Sequence, residues 1–254
     1  MVDLEFKDTT SWIPSGANPP DSGINLFCFP YSGASASIYH SWVRSLPAPL
    51  SVFPVELPGH GRRLAEPLQT SLKSLVETIA AGLLPHLKSP FAFFGHSMGA
   101  LLSFELSRYL RAHDGLEPRY LFLSGHPAPQ LRSKERPVSS LTDVELINRL
   151  RELNGTSEEV LACPELRDLL LPILRADFSV CDNYQFVPGE PLNTPMTVIG
   201  GLQDPFVSNE DLRAWKEHTR GSFQVSFLPG DHFFLKADAS RLLERLARDL
   251  FKVL

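Results

Sequence analysis

Short runs of apolar residues alternate along this chain with segments in which apolar positions recur every third or fourth residue. The runs fall at 24–29 (INLFCF), 51–56 (SVFPVE), 91–94 (FAFF), 120–124 (YLFLS), 195–199 (PMTVI) and 223–228 (FQVSFL). Most are apolar at nearly every position, as expected of strands covered on both faces. Residues 71–84 carry Leu72, Leu75, Val76, Ile79 and Leu83 on one helical face, and residues 239–251 do the same with Leu242, Leu243, Leu246, Leu250 and Phe251. A third helix, opening at Ser97, places Leu102, Leu106, Tyr109 and Leu110 in one stripe. Strands alternating with amphipathic helices predict an α/β fold with a mainly parallel central sheet flanked by helices.

One stretch breaks the alternation. From about 130 to 192 there is no strand signal, while helical segments follow one another. Thr142-x-x-Glu145 reads as a capping box, with Leu146, Ile147, Leu150 and Leu153 following on one face. Leu166, Leu169, Leu170, Ile173 and Leu174 suggest a second stripe, which Pro172 is expected to kink. The expected organisation is a core of residues 1–129 and 193–254, with residues 130–192 as a helical lid insertion.

Composition narrows the function. At 254 residues, 43% apolar and 21% charged, the chain suits one well-cored domain. Lys plus Arg number 24 against 29 Asp plus Glu, a net charge of −5 that disfavours nucleic-acid binding. Cys28, Cys163 and Cys181 form no C-x-x-C pair, so neither a disulfide framework nor a zinc site is expected. The acidic, polar start lacks a signal-peptide pattern, and no run approaches the ~20 apolar residues of a membrane span. A cytoplasmic, membrane-free protein is the expectation.

The chemistry concentrates at Gly95-His96-Ser97-Met98-Gly99. G-x-S-x-G is weak as a pattern, but here it follows an apolar strand directly and opens a helix, the setting of a nucleophile elbow. A serine hydroxyl is a poor nucleophile at its free pKa, so a base must take its proton and an acid must orient that base. In elbow-type folds the order along the chain is serine, acid, histidine. Of His126, His218 and His232, which follow the serine and its helix, only His232 in PGDHFFL lies on a loop just past a strand with room for an acid before it. Asp204 in IGGLQDPF is the matching acid. Asp211, Asp177 and Asp182 fall in helical segments, and Asp231 adjoins His232 too closely to reach its Nδ1. Backbone N–H groups of Met98 and of Ser32, in the loop after the first strand, are the expected oxyanion hole. With no complete G-x-G-x-x-G, no G-x-x-x-x-G-K and no H-E-x-x-H, neither a nucleotide cofactor nor a metal is expected.

These residues resemble those of the stand-alone type II thioesterases of polyketide and non-ribosomal peptide synthesis. The resemblance rests on CFPYSGASA at 28–36, LPGHGRR at 57–63, FGHSMGA at 94–100, RADFSVCDNY at 175–184 and PGDHFFL at 229–235. It implies an α/β-hydrolase fold, a helical lid, a triad of Ser97, Asp204 and His232, and an oxyanion hole from the Ser32 and Met98 backbones. The implied substrate is an acyl thioester on the phosphopantetheine arm of an acyl or peptidyl carrier protein, and the implied role is removal of aberrant or stalled acyl groups. The family often reads F-P-H-A-G-G where this chain has Phe29-Pro30-Tyr31-Ser32-Gly33-Ala34, a departure that bears on acyl preference. Arg62, Arg63, Arg132, Lys134 and Arg136 are candidates for a basic patch facing an acidic carrier protein. No separate cofactor is implied, and a monomer is the working expectation. The alternatives are a medium-chain fatty acyl-carrier-protein hydrolase, a general carboxylesterase and a non-catalytic binding protein on the same fold.

Overall fold

Strands form at β1 (Ile24–Phe29), β2 (Leu50–Pro54), β3 (Phe91–His96), β4 (Leu121–Ser124), β5 (Met196–Gly201) and β6 (Phe223–Leu228) in a computed structural model that describes residues 12–14, 23–88, 90–131, 136–237 and 239–254. They make one sheet in the order β2–β1–β3–β4–β5–β6, every neighbouring pair parallel. The helices are α1 (Leu72–Leu83), α2 (Met98–Asp114), α3 (Asp143–Leu153), α4 (Glu158–Ala162), α5 (Pro164–Asp182), α6 (Asn209–Arg213), α7 (Phe234–Ala237) and α8 (Ala239–Leu250). This is the parallel sheet with flanking helices that the alternating pattern predicts, and it is the α/β-hydrolase architecture.

The nearly continuous apolar strands serve two cores. Phe27 and Phe29 of β1, Phe91 and Phe93 of β3 and Leu121 and Leu123 of β4 join one core with α1 and α2. Their neighbours Leu26, Cys28, Ala92, Phe94 and Phe122 point to the other face, where Tyr39, Trp42 and the Leu242, Leu243 and Leu246 side of α8 cover them. Each fully buried Leu or Phe contributes about 1.5–3 kcal/mol, so removal of either helical layer would expose one face of the sheet.

The bounds of β3, β4 and β5 shift by one or two residues, Phe251 lies exposed past the end of α8, and two further differences bear on the packing. β2 begins at Leu50 and ends at Pro54, two residues short of Glu56. Glu56 instead turns inward, 3% exposed, and its carboxylate accepts the N–H groups of Ala36 and Arg62 at 2.9 and 3.3 Å. The second difference is in α5. Leu166 and Leu169 are exposed, and the buried face is Leu171, Leu174, Asp177 and Val180. Pro172 lies on the solvent side, and α5 runs through it in one span. Proline has no N–H, so that position donates no helical bond.

Between β4 and β5 the chain builds α3, α4 and α5, which share a small core of Leu146, Leu150, Leu161, Leu171 and Leu174. The capping box at Thr142 forms, its hydroxyl accepting from the Glu145 N–H while the Glu145 carboxylate accepts from Thr142. The three helices lie over the carboxyl ends of the strands, where ligands bind in open α/β sheets.

Candidate active site

Ser97 occupies the single residue between β3 and α2. Its backbone sits at φ 53°, ψ −119°, a conformation that costs a non-glycine residue about 1–3 kcal/mol. The flanking glycines make the turn possible. A Cβ on Gly99 would lie 2.3 Å from the Phe29 carbonyl oxygen, and one on Gly95 would lie 1.9 Å from that of Gly99. The turn is held from below as the Ser97 N–H donates to the Ser124 carbonyl at 2.7 Å.

Asp204 and His232 arrive from the ends of β5 and β6, two and three strands along the sheet from β3. Asp204 follows β5, its side chain fully buried, and His232 follows β6 with 7% of its side chain exposed. His232 Nδ1 lies 2.8 Å from Asp204 Oδ2, and the other carboxylate oxygen accepts the Phe206 N–H at 2.9 Å. The two loops are stitched together, Leu202 N–H donating to Leu228 O and Gln203 N–H to Gly230 O. Among the described residues His232 Nε2 has no hydrogen-bond partner, and His232 lines the same cleft as Ser97.

That cleft holds about 400 Å³. Tyr31, Ser32 and Gly33 line it from the β1 loop, and Leu150, Leu153, Leu170, Leu174 and Phe178 line it from the inserted helices, Leu174 packing directly against Gly33. Beneath it, His96 is fully buried, its ring 5.1 Å from that of His232 and its Nδ1 2.9 Å from Ser124 Oγ. Burial, reinforced by the neighbouring His232, pushes the His96 pKa well below the usual value, so His96 stays neutral. Met98 is the first residue of α2, whose opening N–H groups lack partners within the helix. Ser32 precedes Gly33 in a turn closed by the Ala34 N–H on Tyr31 O at 3.0 Å.

A second histidine–carboxylate pair lies behind this turn, and the sequence did not point to it. His60 Nε2 is 2.9 Å from Asp177 Oδ2, with the side chains 4% and 3% exposed. The same oxygen accepts the Gly33 N–H at 2.7 Å. The available signal was an acid standing on the buried stripe of α5, one turn past Leu174.

The basic patch divides. Arg63 is buried, its guanidinium 3.7 Å over the Trp12 ring and paired with Glu66, so it is not a docking cation. Arg62 is exposed, and Arg136 is exposed but paired with Glu145. Arg132 and Lys134 lie outside the described residues. Among the described residues there is no cluster of metal-ligating side chains, and no helix is long and apolar enough to cross a membrane.

A serine on a strained strand–helix turn, in one cleft with the histidine of a histidine–aspartate pair at the carboxyl edge of a parallel sheet, is the arrangement of a serine hydrolase of the α/β-hydrolase class. The thioesterase-domain family model matches residues 24–254, and the chain belongs to that family of thioester hydrolases. It is 46% identical to the linear gramicidin dehydrogenase LgrE of Brevibacillus parabrevis, over 91% of this chain and 89% of that protein. With the gramicidin S biosynthesis protein GrsT of Aneurinibacillus migulanus it shares 43% identity, over 98% and 97% of the two chains. The solved type II thioesterase BorB, from the borrelidin biosynthetic cluster, superposes with a TM-score of 0.86 at 34% identity, covering 94% of this chain and 98% of that one. The word dehydrogenase in the first name finds no counterpart in this sequence, which has no complete dinucleotide fingerprint.

Proposed function

We propose that this enzyme hydrolyses acyl thioesters carried on the phosphopantetheine arm of acyl or peptidyl carrier proteins, clearing aberrant or stalled groups from a polyketide or non-ribosomal peptide synthase in the cytoplasm. The observation that carries the reading is that His232, 2.8 Å from the buried Asp204 carboxylate, lines the same cleft as Ser97. His232 Nε2 takes the proton of Ser97 Oγ as that oxygen attacks the thioester carbonyl. Asp204, accepting from Nδ1–H, fixes the tautomer and stabilises the imidazolium. The tetrahedral oxyanion is held by the N–H groups of Ser32 and Met98. The pantetheine thiolate leaves with the proton from His232, and a water deprotonated by the same nitrogen then releases the acid and regenerates Ser97.

The inserted residues 130–192 are read as the lid, since Leu150, Leu170, Leu174 and Phe178 contribute one side of the cleft. A narrow, apolar, partly covered chamber suits an acyl group delivered on a long thin arm. Exposed Arg62 and Arg136 remain the cations to meet an acidic carrier protein. The relatives named for gramicidin and borrelidin biosynthesis support a synthase context over a fatty-acid one.

Mass spectrometry of an acetyl-loaded carrier protein, incubated with wild type and with Ser97→Ala, tests the reading. Loss of the acetyl group with wild type alone is the expected result. If neither protein removes it while wild type cleaves a p-nitrophenyl ester, the serine is active and the substrate is wrong. Medium-chain acyl carriers are then the next series to test.

A further inference from the structure

The pair behind the oxyanion turn has a protonation state that its contacts determine. His60 Nδ1 lies 3.0 Å from the Pro58 carbonyl oxygen, which can only accept, so Nδ1 carries a proton. His60 Nε2 lies 2.9 Å from Asp177 Oδ2, and an ionised carboxylate also only accepts. Both ring nitrogens therefore donate, and His60 is an imidazolium paired with a buried carboxylate. A neutral His60 would set a ring lone pair against a carboxylate lone pair.

Asp177 spends the same oxygen on the Gly33 N–H at 2.7 Å. Gly33 is at φ +79°, a conformation open to glycine, and it follows Ser32 directly. The Ser32–Gly33 peptide is thus pinned by a charge-assisted bond from α5, while Glu56 holds the Ala36 N–H at the far end of the same loop.

We infer that Asp177, aimed by His60, is a positioning residue that orients the oxyanion turn from the inserted helices. The inference rests on the roles given above to Ser97 and to the Ser32 backbone. Its consequence is that placement of the insertion and assembly of the oxyanion hole are one event: α5 cannot leave the core without releasing the Gly33 N–H. Loss of the Gly33 bond alone, with α5 still in place, weakens transition-state stabilisation and leaves the Leu170, Leu174 and Phe178 wall of the cleft intact.

The charged groups facing His60 are Asp177 from α5 and Glu56 from the segment after β2. Cys181, one turn beyond Asp177, is held as a neutral thiol by burial and by that carboxylate. Burial alone would lower the His60 pKa; the bond to Asp177, its charge, the Pro58 carbonyl and Glu56 outweigh this and raise it. The brace is therefore intact at lower pH and is lost as pH rises through that elevated value.

The experiment is steady-state hydrolysis of a p-nitrophenyl ester by wild type, Asp177→Asn, His60→Gln and Ser97→Ala, each checked for folding by circular dichroism. Loss of one oxyanion donor typically costs about 10²–10³ in kcat. Loosening one is expected to lower kcat about 10–100-fold in Asp177→Asn, with KM within about threefold. His60→Gln keeps a donor at the Nε2 position but cannot titrate, so it should retain much of the activity and remove the wild-type fall in kcat at alkaline pH. Ester activity surviving in Ser97→Ala would overturn the underlying assignment of the serine. With Ser97→Ala inactive, a folded Asp177→Asn with kcat near wild type, or with KM raised as much as kcat falls, overturns the positioning role alone. If Asp177→Asn does not fold, the decision passes to His60→Gln, and an alkaline limb unchanged from wild type overturns it.

Discussion

Two buried histidine–carboxylate pairs support the site, one lining the Ser97 cleft and one holding the Gly33 turn, and in distance and burial they are nearly indistinguishable. His232 and Asp204 are 2.8 Å apart with side chains 7% and 0% exposed; His60 and Asp177 are 2.9 Å apart at 4% and 3%. They differ in the second ring nitrogen. His232 commits Nδ1 to its acid and, among the described residues, leaves Nε2 without a partner at the cleft. His60 commits Nε2 to its acid and Nδ1 to the Pro58 carbonyl. The first can accept and return a proton; the second is already doubly protonated and can only hold. A buried His–Asp contact does not by itself mark a general base, and the free nitrogen decides which pair can do proton transfer.

The largest effects should separate the pairs by role. Ser97→Ala is expected to lose about 10⁴–10⁶ in kcat while folding normally, and Asp204→Asn about 10³–10⁴ through the wrong His232 tautomer. Single-turnover hydrolysis of a p-nitrophenyl ester measures both. If Asp204→Asn lost no more than Asp177→Asn, the distinction between a pair that moves a proton and one that holds a loop would collapse.

The elements around the first pair were readable because their signals are local. FAFF followed by G-x-S-x-G and then a leucine-spaced helix encodes strand, strained turn and helix within about twenty residues. Asp204 and His232 each stand a few residues past an apolar run, so chain order and strand ends together single them out. The second pair has no such signature. Asp177 and His60 are 117 residues apart, and although each lies in a motif of the family resemblance, RADFSVCDNY and LPGHGRR, nothing local in either segment names the other as its partner. The α5 stripe also misled. Leu166 and Leu169 satisfy helical spacing yet face solvent, and the side of α5 that packs inward carries Leu171, Leu174, Ala176, Asp177 and Val180. Arg63 likewise looked like a surface cation and is buried under Trp12, a partner distant in sequence.

Stability as a function of pH should sharpen the comparison at a smaller scale. A histidine whose folded pKa is raised binds its proton more tightly when folded. His60 therefore stabilises fully below its unfolded value near 6.5, and that contribution fades as pH rises through the higher folded value. His126 runs the other way. Burial, the leading cause, pulls it down to about 4, so stability is lost as pH falls from about 6.5 and levels off near 4. Melting curves should thus decline on both sides of neutrality. Replacing His60 with Gln should flatten the alkaline arm alone, by up to roughly 3–12 °C if the charge-assisted bond is worth about 1.5–3 kcal/mol. An alkaline arm identical in His60→Gln and wild type would mean that His60 is not the titrating group.

The smallest expected effect concerns how the insertion reaches each pair. α5 reaches the second pair through a buried charge. The end of α3 reaches the first only through its surroundings: Asn154 Nδ2 donates to Asp231 Oδ2 at 3.0 Å, and Asp231 Oδ1 accepts the Phe233 N–H beside His232 at 2.8 Å. This bond is exposed and competes with water, so Asn154→Ala should cost about 0.5–1.5 kcal/mol in stability. Because the His232 ring is aimed by Asp204 and not by Asp231, the variant should keep kcat on the small ester within about threefold of wild type. Asp177→Asn, which cuts the buried link, should lower it ten times more. Comparable losses in the two variants would show that any loosening of the insertion disables the site, and the oxyanion turn would have no special claim on α5. A loss confined to Asp177→Asn places the coupling where the charge is buried, at the Asp177 side chain that hydrogen-bonds the peptide joining Ser32 to Gly33.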